Sequence, residues 1–373
     1  MRIILCVTND VVTDQRVNRI ASSLKKLPSE ISILGIKRRK SLPLTNVKFH
    51  VKRFHLVFQK GPLFYAEFNL KLFFYLLFSA SDIVVANDLD TLPAAYLACK
   101  VKRIPVVYDS HEYFTGLPEL VNRPLIRNVW VRIERSILPK IRYAYTVSNS
   151  IANLYHESYG IQMSTVRNLP YQIPEVKDKN DTSEKVIIYQ GALNMGRGLE
   201  LAIPAMKFMS NCRLLIAGSG YLGDELKKLT ISSGISDKIE FLGLLPPEEL
   251  MKYTTRAHLG ISLEENFGLN YYHALPNKVF DYIQARIPVL VSDIPGMAAI
   301  VREYDVGMVT DARDPESLAM TFKTMLFDEE KRHNWRKNAD KAAAELCWEN
   351  EEPELLTLYR KVIRDHASSA TGK

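Results

Sequence analysis

Short apolar runs that end in polar residues recur along the chain, and amphipathic stretches separate them. In the first half "RIILCVTND", "DIVVAND", "PVVYDSHE" and "YAYTVSNS" each predict a strand that delivers polar groups at its carboxyl end. This is the βαβ rhythm of a parallel sheet, whose ligands sit at the carboxyl ends of the strands. The rhythm pauses at "PYQIPEVKDKNDTSEK", residues 170–185, where prolines and charges replace apolar periodicity and a linker is predicted. It restarts in "KVIIYQGAL", "RLLIAGSG", "KIEFLGLL", "LGISL", "PVLVSD" and "VGMVT". The pattern therefore predicts an α/β chain of two doubly wound, Rossmann-like parallel-sheet domains with a cleft between them. The expected boundaries are 1–168, a linker at 169–185, a second domain at 186–345, and a C-terminal helix at 346–373 packing back on the first domain.

One apolar stretch breaks the rhythm. "PLFYAEFNLKLFFYLLFSA", residues 62–80, is rich in Leu and Phe but carries Glu67, Asn69 and Lys71. It is too short and too interrupted to span a bilayer, and reads either as a helix buried in the first domain or as an interfacial helix.

Composition changes this picture only through charge. The 373 residues carry a net charge of +7, yet residues 1–168 hold 24 Lys and Arg against 12 Asp and Glu, so the first half is strongly basic and the second acidic. Such asymmetry points to an anionic partner for the first half, an acidic membrane surface or a nucleic acid, with a solvated basic face as the alternative. Lys37, Arg38, Arg39 and Lys40 form the densest basic cluster. The four cysteines, Cys6, Cys99, Cys212 and Cys347, have no paired spacing, which argues against a disulfide framework or a zinc site. No secretion signal is visible, and a reducing, cytoplasmic setting is expected.

Four segments carry candidate chemistry. Gly218, Gly220 and Gly223 have the Gly-x-Gly-x-x-Gly spacing between a strand and a helix, but Glu240 precedes the next strand where a dinucleotide site would want an acid at its end. A glycine-rich turn lining a nucleotide cleft is the preferred reading. Asp88 and Asp90 form an Asp-x-Asp after a strand, either a metal–diphosphate site or, preferred, an N-cap by Asp90 on the helix that follows. Gly191, Gly196, Arg197 and Gly198 lead into an apolar helix, where glycines admit a ligand and an arginine fork can clamp an anion. In "HALPNKVFDYIQARIPVLVSDIPG" the amides of Asn277 and Lys278 open a helix and point its dipole at an anion, with the Lys278 ammonium beside them. Asp281, one turn on, is placed to accept hydrogen bonds from ribose hydroxyls. Phosphate at the tip and ribose on the first turn is a nucleoside-diphosphate site.

"YQGALNMGRGLE", "LPNKVFDYIQARIPVLVSDIPG" and "YDSHEYF" together resemble the retaining glycosyltransferases of family 4 over nearly the whole chain. The resemblance implies the GT-B fold, a nucleoside-diphosphate sugar held mainly by the second domain, an acceptor on the first, and neither metal nor resident cofactor. Arg197 then matches the second basic residue of the phosphate clamp and Asp281 the later of two glutamates. His111 matches a histidine that contacts the donor sugar. The family's usual arginine after the strand glycine is replaced by Ala192, with Lys278 as substitute, and either Glu265 or His273 stands for the earlier glutamate. His111, Arg197 and Lys278 are thus the expected catalytic groups, and Gly191, Arg197, Gly218, His273, Asn277, Lys278 and Asp281 the binding groups. The expected activity is sugar transfer to a hydroxyl of a glycan or lipid-linked glycan; the charge asymmetry adds peripheral contact with an anionic membrane, and no nucleic-acid partner is expected. A sugar-nucleotide epimerase and a non-catalytic nucleotide-sugar binder are the rivals.

Overall fold

A computed structural model describes every residue except 13, 39, 40, 42, 45–48, 118, 119, 121, 122, 174–183, 274, 372 and 373. The chain divides into two compact units, Met1–Asn168 with Glu351–Lys373, and Leu169–Asn350. Much of the linker segment, and Arg39 and Lys40 of the basic cluster, lie outside the described residues.

The first unit holds a seven-stranded sheet: β1 (Arg2–Cys6), β2 (Glu30–Lys37), β3 (His50–His55), β4 (Ile83–Asn87), β5 (Val106–Ser110), β6 (Tyr143–Thr146) and β7 (Ser164–Thr165). Their order is β3-β2-β1-β4-β5-β6-β7, and every pairing is parallel. Register is fixed at the centre by Leu5 facing Ile33 on one side and Val85 on the other. Ile3, Leu5, Val84 and Val85 are fully buried, which is why these strands read as unbroken apolar runs. The edge strand β3, "HVKRFH", is different: it buries only Phe54 and keeps charged residues along the edge, a device that discourages pairing with other chains.

The second unit repeats the plan with β8 (Lys185–Gln190), β9 (Cys212–Ala217), β10 (Ile239–Gly243), β11 (Leu259–Ser262), β12 (Val289–Ser292) and β13 (Gly307–Thr310). The order β10-β9-β8-β11-β12-β13 is again all parallel. In each sheet the direction of strand addition reverses once, between β1 and β4 in the first unit and between β8 and β11 in the second. Such switch points leave a crevice at the carboxyl ends of the two strands.

Three outcomes refine the sequence reading. The helix over the apolar run spans Pro62–Phe78 and buries one stripe, Phe64, Phe68, Leu72 and Leu76, while Leu70, Phe74 and Phe78 face solvent. It is thus neither wholly buried nor long enough to cross a membrane, and no helix among the described residues is. Glu240 lies inside β10, exposed, with Arg213 3.7 Å away. The last helix, Trp348–Thr371, begins in the second unit and belongs to the first from Glu351 onward.

Candidate functional site

In the second unit the switch point gathers a buried ionic cluster. Two residues past the end of β11, Glu264 is 3% exposed. Its Oε1 accepts a hydrogen bond from Lys278 Nζ at 2.6 Å and lies 3.3 Å from Arg197 Nη1. Oε2 accepts from Ser262 Oγ at 2.5 Å. Each cation also sits over a ring, Lys278 above Tyr189 at 4.3 Å and Arg197 above Tyr271 at 4.8 Å. Burial would raise the Glu264 pKa, but Lys278 and Arg197 outweigh it and hold the carboxyl below its ordinary value. Burial lowers the Lys278 pKa, offset only in part by Glu264. Two cations against one carboxylate leave the cluster with one surplus positive charge, an arrangement that suits an anion.

Several elements fix this geometry. Lys278 is the second residue of the helix Asn277–Gln284, whose first turn no side chain caps. Asp281, one turn later, accepts from Gln190 Nε2 at 2.7 Å, and Gln190 Oε1 accepts from Thr254 at 2.9 Å. That chain orients the Asp281 carboxylate from β8. Gly191 follows β8 with φ +138°, and a Cβ there would stand 3.5 Å from Lys278 Cε. The ammonium of Lys278 therefore reaches the strand end where Ala192 supplies no charge.

Gly218 and Gly220 are brought against this loop for a steric reason. A Cβ on Gly218 would meet Gly191 O at 1.8 Å, and one on Gly220 would meet Leu193 O at 2.3 Å. Their spacing is accounted for by two strand-end loops in backbone contact, with no dinucleotide needed. Glu265 is exposed, its amide donating to Gly196 O at 2.9 Å. His273 closes the short helix Leu269–His273, and burial holds its pKa below the usual imidazole value. Neither is the acid on the clamp. Glu264 is, and sequence reasoning passed over it although an acid just beyond a strand's carboxyl end was the available signal.

In the first unit the switch point holds a second network. His111 Nδ1 lies 3.1 Å from Asp88 Oδ2 and Nε2 lies 3.1 Å from Asp109 Oδ2. Asp88 also accepts from the His111 amide at 2.8 Å, and its backbone adopts φ +61° to do so. Beneath them buried Arg16 donates to Asp109 Oδ1 at 2.7 Å. Burial would lower the His111 pKa, yet the two carboxylates raise it well above the ordinary value. Burial would likewise raise Asp109, but Arg16 and His111 hold it down to about 2. The two carboxylates thus favour the protonated ring, in which both nitrogens donate. The N-cap reading of Asp90 is corrected: Thr91 is the N-cap residue, without a side-chain cap bond. Asp90 is instead buried, accepting from Thr8 Oγ1 at 2.5 Å, and burial with the nearby Asp88 charge pushes its pKa up to about 7. Among the described residues no group of three or more His, Cys, Asp or Glu is arranged to hold a metal ion.

Two family models match, and between them they span most of the chain. Glycosyltransferase Family 4 matches residues 15–170, and Glycosyl transferases group 1 matches residues 172–342. The chain belongs to this glycosyltransferase family, as the resemblance in its motifs implied. An uncharacterized glycosyltransferase of Methanocaldococcus jannaschii is 31% identical over 183 residues, 48% of this chain and 45% of that protein. A D-inositol 3-phosphate glycosyltransferase of Corynebacterium urealyticum is 30% identical over 193 residues, 48% of this chain and 44% of that one. The matched stretches span less than half the length of both curated relatives. Among solved structures, a sucrose-phosphate synthase from Thermosynechococcus elongatus superposes with TM-score 0.77 at 16% identity, covering 98% of this chain and all of that one. An Anabaena protein solved in complex with UDP-glucose superposes with TM-score 0.69 at 15% identity, covering 99% and 100%. At these identities the likeness concerns the fold, which is GT-B.

Proposed function

We propose that the protein transfers a sugar from a nucleoside-diphosphate sugar to a hydroxyl of a glycan or lipid-linked glycan, with retention at the anomeric carbon and without a metal ion. The observation that carries this reading is the pair of cations, Arg197 and Lys278, converging on buried Glu264 with one positive charge in surplus. In such a transfer the sugar–phosphate bond breaks and negative charge grows on the departing diphosphate. Arg197 and Lys278 stabilise that charge, and Asp281 receives the ribose hydroxyls. The acceptor is assigned to the first unit, where His111 is the candidate for contact with a sugar. The uridine diphosphate and glucose held by the Anabaena neighbour support a nucleotide-sugar donor for this fold. Incubation with a panel of nucleotide sugars, scored for released nucleoside diphosphate, epimer and transfer product, tests the reading. Release that grows with added acceptor supports transfer; epimer alone, or binding without turnover, overturns it. Activity lost to a chelator and restored by manganese would overturn metal independence.

The reading extends to peripheral contact with an anionic bilayer. Leu70, Phe74 and Phe78 on one helix, with Leu97 and Val101 on the neighbouring helix Leu92–Lys102, give the basic half an exposed apolar face. Each basic side chain near an acidic surface contributes on the order of 1 kcal/mol, and salt weakens it. Co-sedimentation with acidic vesicles at low salt, fading at high salt, is the expected result. Equal binding to neutral and acidic vesicles, or none, would leave the charge as a solvated face.

A further inference from the structure

The first unit also has a concave, cationic surface that shares no residue with the His111 network or the Arg197–Lys278 cluster. The helix Pro124–Ile137 faces the helix Asn149–Tyr159 across a groove of about 570 Å³, a size that accepts a small organic ligand. Arg127, Val131 and Arg135 follow one another at four-residue intervals along one face, and Asn128 and Arg132 do the same on the adjacent stripe. Ser158 and Tyr159 form part of the opposite wall, and among the described residues no acidic one lines the groove. Among the described residues no carboxylate forms a salt bridge with any of the three guanidinium groups.

The groove is also braced from beneath. Glu134, fully buried on the same helix, accepts from Tyr159 OH at 2.6 Å and from Thr115 Oγ1 at 3.0 Å, so it ties two wall residues together. Its other oxygen, Oε1, has no hydrogen-bond partner among the described residues. Arg127 donates through Nε to Thr115 O at 2.9 Å, which fixes the direction of its fork and leaves both terminal nitrogens for another partner. Solvated surface arginines are seldom held in this way; an oriented fork beside two further guanidiniums is the arrangement that receives tetrahedral oxyanions.

We propose that this groove binds a phosphate group, a phosphomonoester or a diphosphate, through Arg127, Arg132 and Arg135, at a site separate from the Arg197–Lys278 clamp. A soluble phosphorylated metabolite and a phospholipid headgroup present the same chemistry, so the experiment separates them. Full-length protein is treated with the arginine reagent phenylglyoxal, and the labelling rate of each arginine is followed by peptide mass spectrometry. Inorganic pyrophosphate and glycerol 3-phosphate are expected to slow labelling of Arg132 and Arg135 while leaving exposed Arg360 unchanged. Protection by these soluble probes assigns a free phosphorylated ligand. Protection only by vesicles containing phosphatidic acid assigns the headgroup. Equal labelling with and without every probe, or equal protection by neutral vesicles, overturns the proposal. A double substitution, Arg132→Ala with Arg135→Ala, gives the second test. Direct titration should show pyrophosphate affinity at this site falling at least about tenfold, the scale of a lost charge-assisted contact, with nucleoside-diphosphate binding unchanged. Unchanged pyrophosphate affinity in that variant likewise overturns the site.

Discussion

At the scale of single residues the clearest consequence is that a cation and the carboxylate of the Glu264 cluster differ in what their replacement costs. Arg197→Ala removes a partly exposed fork, so nucleoside-diphosphate binding measured by calorimetry should weaken by about 1.5–3 kcal/mol with the fold intact. Glu264→Gln is a different substitution, because it leaves buried Lys278 beside Arg197 with no counter-charge. A loss of about 3–5 kcal/mol in urea unfolding is expected, and a near-neutral change would show that the carboxylate does not organise the clamp. In the first unit the titrating groups set a pH dependence. Burial pushes Glu134 up to about 7, outweighing its bonds from Tyr159 and Thr115. A carboxyl raised in the folded state stabilises fully below its unfolded pKa, and that contribution is lost as pH rises through the folded value. The shift is worth up to about 3 kcal/mol, so stability should fall between about pH 4.5 and 7, and Glu134→Gln should flatten the fall. His111, raised well above its ordinary value by Asp88 and Asp109, should keep an imidazolium NMR signature through neutral pH.

Elements, rather than residues, explain what could and could not be read from the chain. Strands β1, β4, β5, β6, β8, β9, β11 and β12 were legible because parallel strands covered on both faces are largely apolar, and the edge strands β10 and β13 because they keep short apolar runs. The edge strand β3 escaped because one side is wet, and "HVKRFH" then carries more charge than a central strand tolerates. The positions of Gly191, Lys278 and Asp281 were legible because a strand end and a helix start show in the apolar pattern: Gly191 follows β8, and Lys278 and Asp281 lie on the helix Asn277–Gln284. The pairings of Glu264 with Lys278 and of Arg16 with Asp109 were not, since contacts across 14 and 93 positions are set by sheet order and leave no local periodicity. The Asp90 cap failed for a related reason: Thr8, 82 positions away, holds the carboxylate that local preference assigned to the helix end. The glycine-rich loop makes this concrete. Gly218 adopts φ +144°, and its missing Cβ lets Gly191 O approach. Gly218→Ala should therefore destabilise by several kcal/mol, or displace the Gly191 loop and with it Lys278. Either shows in unfolding midpoints and donor affinity, and a neutral substitution would remove the loop contact from the argument.

For the whole molecule the decisive feature is that the first unit is assembled from both ends of the chain. Glu351–Lys373 belongs with Met1–Asn168, so the second unit is inserted in sequence between two pieces of the first. The C-terminal piece is held by specific polar contacts: Glu352 accepts from Ser23 Oγ at 2.6 Å, Glu351 from Arg167 Nε at 2.7 Å, and Asp365 from Tyr143 OH at 2.8 Å. Tyr359, fully buried, meets Tyr145 edge-on at 6.3 Å. Deleting residues 351–373 strips the cover from Tyr145 on β6, beside the Arg16–Asp109 pair, and leaves Arg167 without its carboxylate. The first unit should lose stability by several kcal/mol, since burying one aromatic side chain alone is worth about 1.5–3 kcal/mol. Hydrogen exchange should accordingly rise through β1, β5 and β6 while β8, β9 and β11 keep their protection. Nucleoside-diphosphate binding, proposed for Arg197 and Lys278 in the second unit, should survive as transfer activity disappears. Uniform loss of protection in both sheets would show instead that the last helix stabilises the two units as one cooperative body.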